Sequence, residues 1–201
     1  MTKTIDCIGV GDSFCFASAY VAACGRGVHM LNLNDLYGSD CQTKFAIAKR
    51  LYLTLGGQIN NEPIRQSLER LKGLALTLAE QMTAMGFGQI CSKCAAKPNG
   101  GCCSRTMTDE NDAVQLLMNF MSDVPVALCP DNGHECIFLG ATGCTLSVKP
   151  IFCLNYDCQA IKECANREDT GRYALWRGKL LQEQWRLEQL LLARLAQLGA
   201  M

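Results

Sequence analysis

A repeating apolar seam between residues 60 and 88 is the clearest pattern in this chain. Residues 60–63 (Asn-Asn-Glu-Pro) are typical of a helix start, because a proline in the first turn has no intrahelical hydrogen bond to lose. Apolar residues then recur at alternating steps of four and three, which predicts a helix with three heptads that ends at residues 86–88. The seam consists of Ile64, Leu68, Leu71, Ala75, Leu78, Met82 and Met85. It fits either a helix packed within this chain or a coiled coil with another chain.

Two further segments have helical spacing. Residues 43–55 place apolar side chains along one face, and Gly56-Gly57 is predicted to end this helix. A last helix is predicted over residues 169–198, with a wide apolar face and Gly199 at its end. Trp176 and Trp185 are interpreted as core or interface anchors on this helix.

The middle of the chain is predicted to contain more loops and turns than the helical segments around it. Residues 91–101 are predicted to form a loop, and Thr108-Asp109-Glu110 to cap a short helix. Residues 124–158 contain prolines and glycines that favour turns and a small hairpin. We therefore predict a mainly α fold, in which a helical scaffold carries a loop-rich, cysteine-rich metal-binding insert. Its regions are an N-terminal helical part (1–90), the cysteine cluster (91–165) and a C-terminal helix packed on the N-terminal helices (166–201), or one domain overall.

Composition narrows the function classes. The chain has 201 residues, of which 49% are hydrophobic, so it can bury a core without a disulfide framework. Its 19 basic and 19 acidic residues balance, and no basic patch indicates nucleic-acid binding. The longest uncharged stretch near the start, residues 13–25, is about half the length of a membrane-spanning helix. Asp6 and Asp12 also interrupt any secretory signal. We therefore expect a cytoplasmic protein with no membrane segment and reduced cysteines.

Cysteine is the most informative residue type here. Ten of the 14 cysteines lie between Cys91 and Cys164. Thiolates are soft ligands, so this density indicates zinc or iron. Cys91 and Cys94 have the spacing of two ligands on one ion. Cys102 and Cys103 are adjacent, and because neighbouring side chains diverge, they favour two metals or a multinuclear cluster over one shared ion.

The order of these cysteines resembles a known family. The pattern consists of Cys91-x2-Cys94, then Cys102-Cys103, then Cys136-Ile-Phe-Leu, then Gly143-Cys144, then Lys149-Pro150-Ile-Phe-Cys153 and finally Cys158. It is similar to the YkgJ-type cysteine cluster family, which is described as a zinc- or iron-chelating domain. The resemblance covers about residues 91–158, with Lys149 where the family usually has arginine.

The resemblance implies eight metal ligands. They are Cys91, Cys94, Cys102, Cys103, Cys136, Cys144, Cys153 and Cys158. Eight thiolates could form two four-sulfur sites or one larger cluster. Structural zinc sites usually have two C-x2-C-like pairs, and only one is present, which favours an iron–sulfur cluster over zinc. The widely spaced cysteines are interpreted mainly as small core residues, and a role in metal binding stays open for Cys7, Cys15, Cys24, Cys41, Cys129, Cys164 and His134.

Three functions fit this sequence. The first is a protein that binds iron, as an iron–sulfur cluster, or zinc, with a redox, electron-transfer or accessory role. The second is a zinc-stabilised structural or interaction subunit, and the third is an iron–sulfur-dependent modification enzyme or a subunit of one. The expected partners are metal ions and, through the helices, either another protein or a second copy of this chain. Whether the protein is an enzyme stays open.

Overall fold

The computed structural model describes residues 30–95, 103–126, 128–129, 132–141, 143–155, 158–164 and 166–201. These parts of the chain are mainly α-helical, which confirms the predicted fold class. In chain order the elements are a π-helix Asn34–Gly38, α1 Cys41–Ile59, α2 Glu62–Ala84, α3 Phe87–Ala95, a 3₁₀ helix Arg105–Thr108, α4 Ala113–Met121, β1 Leu139–Gly140, β2 Gly143–Cys144, α5 Ile151–Asn155, α6 Gln159–Cys164 and α7 Arg167–Gln197.

Helices α2 and α7 pack against each other along the predicted apolar seam. On α2 most of the seam is buried, and Leu71 is fully buried. The facing side of α7 contributes Leu180, Leu187, Leu191 and Leu195, all with no exposed surface. A polar contact also joins the helices, because the Ser67 hydroxyl and Arg70 both donate hydrogen bonds to Glu183. The seam is therefore covered within this chain, as the first of its two interpretations predicts.

Side-chain caps fix where the long helices begin. The Asn61 side chain accepts a hydrogen bond from the Ile64 N–H at 3.2 Å, just before the proline-containing first turn of α2. Asp40 caps α1, and Asn166 caps α7 in the same way. Each cap satisfies a backbone N–H that has no partner inside its helix. The start of α2 and the extent of the last helix thus confirm the predictions to within a few residues.

The predicted end of the first helix is wrong. Helix α1 continues through Gly56 and Gly57 to Ile59, and the Asn60 N–H donates to the Gly56 carbonyl at 3.1 Å. Glycine inside a helix costs only about 1 kcal/mol relative to alanine. Ile59 is fully buried, so the packing of the final turn offsets this cost.

The cysteine-rich middle is more helical than predicted. Residues 91–95, expected in a loop, belong to α3, which begins directly after Gly86 in the left-handed conformation (φ 72°). Residues three apart are neighbours on a helix surface, so C-x2-C spacing is as compatible with a helix as with a loop. The cap of α4 is Asp112, whose side chain accepts from the Gln115 N–H, and not residues 108–110. The predicted hairpin is present as β1 and β2.

The two tryptophans of α7 differ in their surroundings. Trp176 is partly buried against the core, with the Lys179 ammonium 4.3 Å from its ring centroid. Trp185 is 63% exposed, so it is not a core anchor, and its alternative interpretation as an interface anchor stays a prediction. None of the helices in the described ranges is both long and apolar enough to cross a membrane.

Asp112 lies in an unfavourable electrostatic position beside α7. Burial, together with the negative charge of Glu188, raises the pKa of this carboxyl to about 6. The Gln115 N–H and the Lys44 ammonium act in the opposite direction but do not cancel the effect. The folded protein therefore holds the proton of Asp112 more tightly than the unfolded chain does.

The first prediction concerns the helix interface. Leu71→Ala should lower the free energy of unfolding by about 2–5 kcal/mol, because it leaves a cavity between α2 and α7. Leu76→Ala is the matched control on the same helix, since Leu76 is 67% exposed, and should change stability by no more than about 0.5 kcal/mol. Urea denaturation measures both, and equal losses would contradict this account of the interface.

The second prediction concerns the pH dependence of stability. Asp112 is ionised in the unfolded chain above about pH 4 but protonated in the folded chain up to about pH 6, so it costs stability as pH rises through this range. Asp112→Asn keeps an N-cap acceptor and removes the titration. Its free energy of unfolding relative to wild type should therefore rise by about 1–3 kcal/mol between about pH 4 and about pH 7.

Asp40→Asn is the control for this experiment. The hydrogen bonds of Thr43 lower the pKa of Asp40, so its contribution to stability is already complete above its unfolded pKa. The stability difference between Asp40→Asn and wild type should therefore stay constant above about pH 5. A similarly constant difference for Asp112→Asn over the whole range would show that Asp112 is not perturbed.

Candidate metal centre

A cavity of about 180 Å³ lies where the end of α2, helix α3, the hairpin and α5 meet. One water molecule needs only about 10–15 Å³ of such space, so the cavity has room for a larger group. Five of the eight predicted ligands line it. They are Cys91, Cys103, Cys136, Cys144 and Cys153.

Close packing of α3 on the hairpin brings Cys91 and Cys144 to the same cavity. Gly143 has φ 120°, a conformation that favours glycine, and a Cβ atom there would stand 3.2 Å from the Cα of Gly88. Any side chain at Gly143 would push strand β2 away from α3. The Gly-Cys pair of the sequence pattern thus has a physical reason, since the glycine permits the approach that positions the cysteine after it.

Cys103 and Cys136 are neighbours through backbone pairing. The Cys136 N–H donates to the Cys103 carbonyl at 2.9 Å, and the Arg105 N–H donates to the His134 carbonyl at 2.8 Å. Ser104 and Glu135 form an antiparallel bridge between these two bonds. This short ladder brings together two predicted ligands that are separated by 32 intervening residues in the sequence.

The hairpin and α5 position the remaining two cysteines. Leu139 pairs with Cys144 across the hairpin, and the Thr145 N–H donates to the Phe138 carbonyl at 2.8 Å. Cys153 lies in the five-residue helix α5, which begins directly after Pro150, and Pro150 also lines the cavity. Both cysteines are exposed, so the cavity opens to solvent beside them.

The surroundings of Cys136 determine how readily its thiol ionises. Burial raises the pKa of the Cys136 thiol, although the Phe138 N–H and the Thr108 hydroxyl donate hydrogen bonds that favour its thiolate. The neighbouring Cys144 raises the pKa further. A bound metal cation would stabilise the Cys136 thiolate more than these hydrogen-bond donors do, because a coordinating thiol loses its proton to the metal.

Not every predicted ligand reaches the cavity. Cys94 and Cys158 are partly buried but are not part of its wall, and Cys102 lies outside the described residues. Among the described side chains, no three His, Cys, Asp or Glu residues stand close enough to hold one metal ion together. The described thiols thus share one cavity and have the chemistry of zinc or iron ligands, but they do not stand together as a ready-made site.

The cysteines whose role the sequence left open are also outside the cavity wall. Cys129 is buried, and the exposed His134 points to no cluster of ligands among the described residues. Cys41 is 1% exposed, and burial raises its pKa to about 12, so its thiol is neutral, as expected of a small core residue. Outside the described residues are Cys7, Cys15, Cys24 and the side chain of Cys164.

Sequence reasoning missed the role of two buried polar residues near the cavity. Asn111 is 2% exposed and lines the wall, while Thr108 is fully buried and donates to Cys136 without being part of the wall. Thr108 ends the 3₁₀ helix and Asn111 directly precedes the cap of α4, so both lie where Thr and Asn are ordinary helix-start residues. No sequence signal distinguishes these positions from simple caps. Lys149, noted only as a departure from the family pattern, also lines the cavity.

Comparison with known proteins identifies no relative. No family model, no curated protein and no solved structure matches this chain. The resemblance to the YkgJ-type family therefore rests on the sequence pattern of residues 91–158 alone.

Proposed function

We propose that this protein binds iron as an iron–sulfur cluster, or alternatively zinc, through cysteine thiolates at the cavity. The observation that carries the proposal is that five predicted ligands, from five separate stretches of the chain, line one cavity. Buried cysteines that only fill a core have no reason to share one solvent-accessible wall. Bound iron would give the protein an electron-transfer or accessory redox role.

The order of the cysteines favours a cluster over a single zinc ion, because structural zinc sites usually have two C-x2-C-like pairs and this chain has one. A single zinc that holds the cysteine segments together is the alternative, and it would make the centre structural.

Metal content and colour separate these alternatives. Protein purified without oxygen should contain several iron atoms per chain and absorb near about 400 nm, and dithionite should bleach this band. A colourless protein with stoichiometric zinc would establish the structural alternative. Protein that acquires neither metal, even when reconstituted with iron and sulfide or with zinc, would refute the proposal.

The third prediction tests the cavity as the metal site. Cys144→Ser and Cys153→Ser should each weaken metal binding by at least about tenfold, because a serine hydroxyl is a poor substitute for a soft thiolate. Both residues are exposed, so these substitutions should leave the fold intact. Metal analysis after dialysis against a chelator measures the effect.

Cys129→Ser is the matched control, since Cys129 is buried but is not part of the cavity wall. It should keep its full metal content, and an equal loss in this variant would show that the metal depends on general stability. Cys94→Ser and Cys158→Ser then separate two ligand sets. Only the eight-ligand set implied by the family resemblance predicts that these two variants also lose metal.

A further inference from the structure

Cys103 and Cys136 stand opposite each other on the short antiparallel ladder at the cavity. The bridge between Ser104 and Glu135 sets the register, so the residue before Ser104 pairs with the residue after Glu135. The hydrogen bond from the Cys136 N–H to the Cys103 carbonyl, 2.9 Å long, fixes this pairing. Directly opposite residues of an antiparallel pair place their side chains on the same face, and both cysteines line the same cavity. The two thiols are therefore cross-strand neighbours.

The backbone of this ladder suits a disulfide bond. Opposite residues of antiparallel strands have Cα atoms about 4.5–5.5 Å apart, which lies within the range of about 4.4–6.8 Å that a disulfide requires. Both cysteines are partly buried, and the cavity that they line opens to solvent beside Cys144 and Cys153. A bond between Cys103 and Cys136 therefore needs rotation of two side chains and no rearrangement of the ladder.

The remaining cysteines of the cavity wall are held in a different way. Cys144 is opposite Leu139 in the hairpin, and Cys91 and Cys153 lie on the helices α3 and α5. Cys144 is still the competitor that an experiment must test, because it is near enough to raise the pKa of Cys136. Only the register of the ladder sets one cysteine of the wall directly across from another among the described residues.

We propose that Cys103 and Cys136 form a reversible redox site, in which a low-molecular-weight disulfide such as glutathione disulfide oxidises the two thiols to a disulfide. The thiolate of one cysteine attacks a sulfur of glutathione disulfide, which gives a mixed disulfide and releases one glutathione. The thiolate of the other cysteine then attacks the protein sulfur of the mixed disulfide and releases the second glutathione. Two protein thiols thereby lose two electrons and two protons, and one glutathione disulfide gains them.

This disulfide would also control metal binding, a consequence that rests on the proposed function. A cysteine binds metal as its thiolate, and a cysteine in a disulfide has no thiolate to offer. Oxidation therefore removes two of the five predicted ligands at the cavity wall. Bound metal, in turn, protects both thiols from oxidation, so the two states exclude each other.

Disulfide mapping of the full-length, metal-free protein tests the pair. Protein treated with a chelator is equilibrated with glutathione and glutathione disulfide at a ratio that oxidises about half of the chains. The remaining thiols are alkylated, and trypsin cleaves after Arg105, between the two cysteines. The peptides on the two sides of Arg105 should be joined and should separate on reduction. Separate peptides at every glutathione ratio would overturn the proposal, and this wild-type result decides it even where a variant does not fold.

Four substitutions identify the cysteines in the bond. Cys103→Ser and Cys136→Ser should each lower the joined fraction at least about tenfold, because each removes one sulfur of the pair. Cys144→Ser and Cys102→Ser are the matched controls, since Cys144 lines the same cavity and Cys102 precedes Cys103 in the chain. Both controls should keep the joined fraction within about twofold of wild type. A joined fraction that survives Cys103→Ser or disappears in either control would assign the bond to another pair and overturn the proposal.

Metal uptake distinguishes this inference from the proposed function. The oxidised protein, free of reductant, should take up Zn²⁺ at least about tenfold less than the reduced protein. Equal uptake by the two forms would overturn the control of metal binding by this disulfide. Reduced protein that binds neither zinc nor iron would refute the proposed function, whereas the mapped disulfide would still stand.

Discussion

The packing of helix α2 on helix α7 is the interaction on which the candidate site depends. It buries the longest apolar faces in the described chain, and it holds α7 rigidly beside the cysteine-rich segments. Near the start of α7, the Tyr173 hydroxyl and Arg177 both donate to the Leu154 carbonyl at 3.0 Å, which anchors α5. The Tyr173 ring also contacts the Phe87 ring at the start of α3, with centroids 5.0 Å apart. One turn of α7 thus positions the helices that carry Cys91 and Cys153.

Two buried polar features stand out near the cavity. Thr108 and the Phe138 N–H donate to Cys136 and thus favour its thiolate, yet burial still raises the pKa of this cysteine. The Asn111 Oδ1 atom is buried and has no hydrogen-bond partner among the described residues. A protein that only needed a stable core would be more stable without either feature, because buried polar groups are costly unless they are paired. The proposed metal would compensate the cost at Cys136, because a coordinating thiol loses its proton to the metal.

The sequence predicted those elements whose structure depends on local signals. The seam of α2 and its Asn-Pro start define a helix by periodicity and capping alone. Prediction failed where packing outweighed local preference. The buried Ile59 carries α1 past two glycines, and residues 91–95 join a helix although prolines and glycines follow shortly after them. Trp185 has the period of an apolar face but lies at its edge, which periodicity cannot distinguish from its centre.

By itself, the sequence determined the helical class and the principal seam, because these follow from side-chain chemistry and spacing, while the set of candidate ligands came from the family resemblance. Only the tertiary structure decided which cysteines share a cavity. The ladder between Cys103 and Cys136, and the contact of Gly143 with Gly88, join segments that are distant in the chain. It also revealed the buried Asn111, whose Oδ1 has no hydrogen-bond partner among the described residues. Long-range contacts of this kind leave no periodic trace in a single sequence.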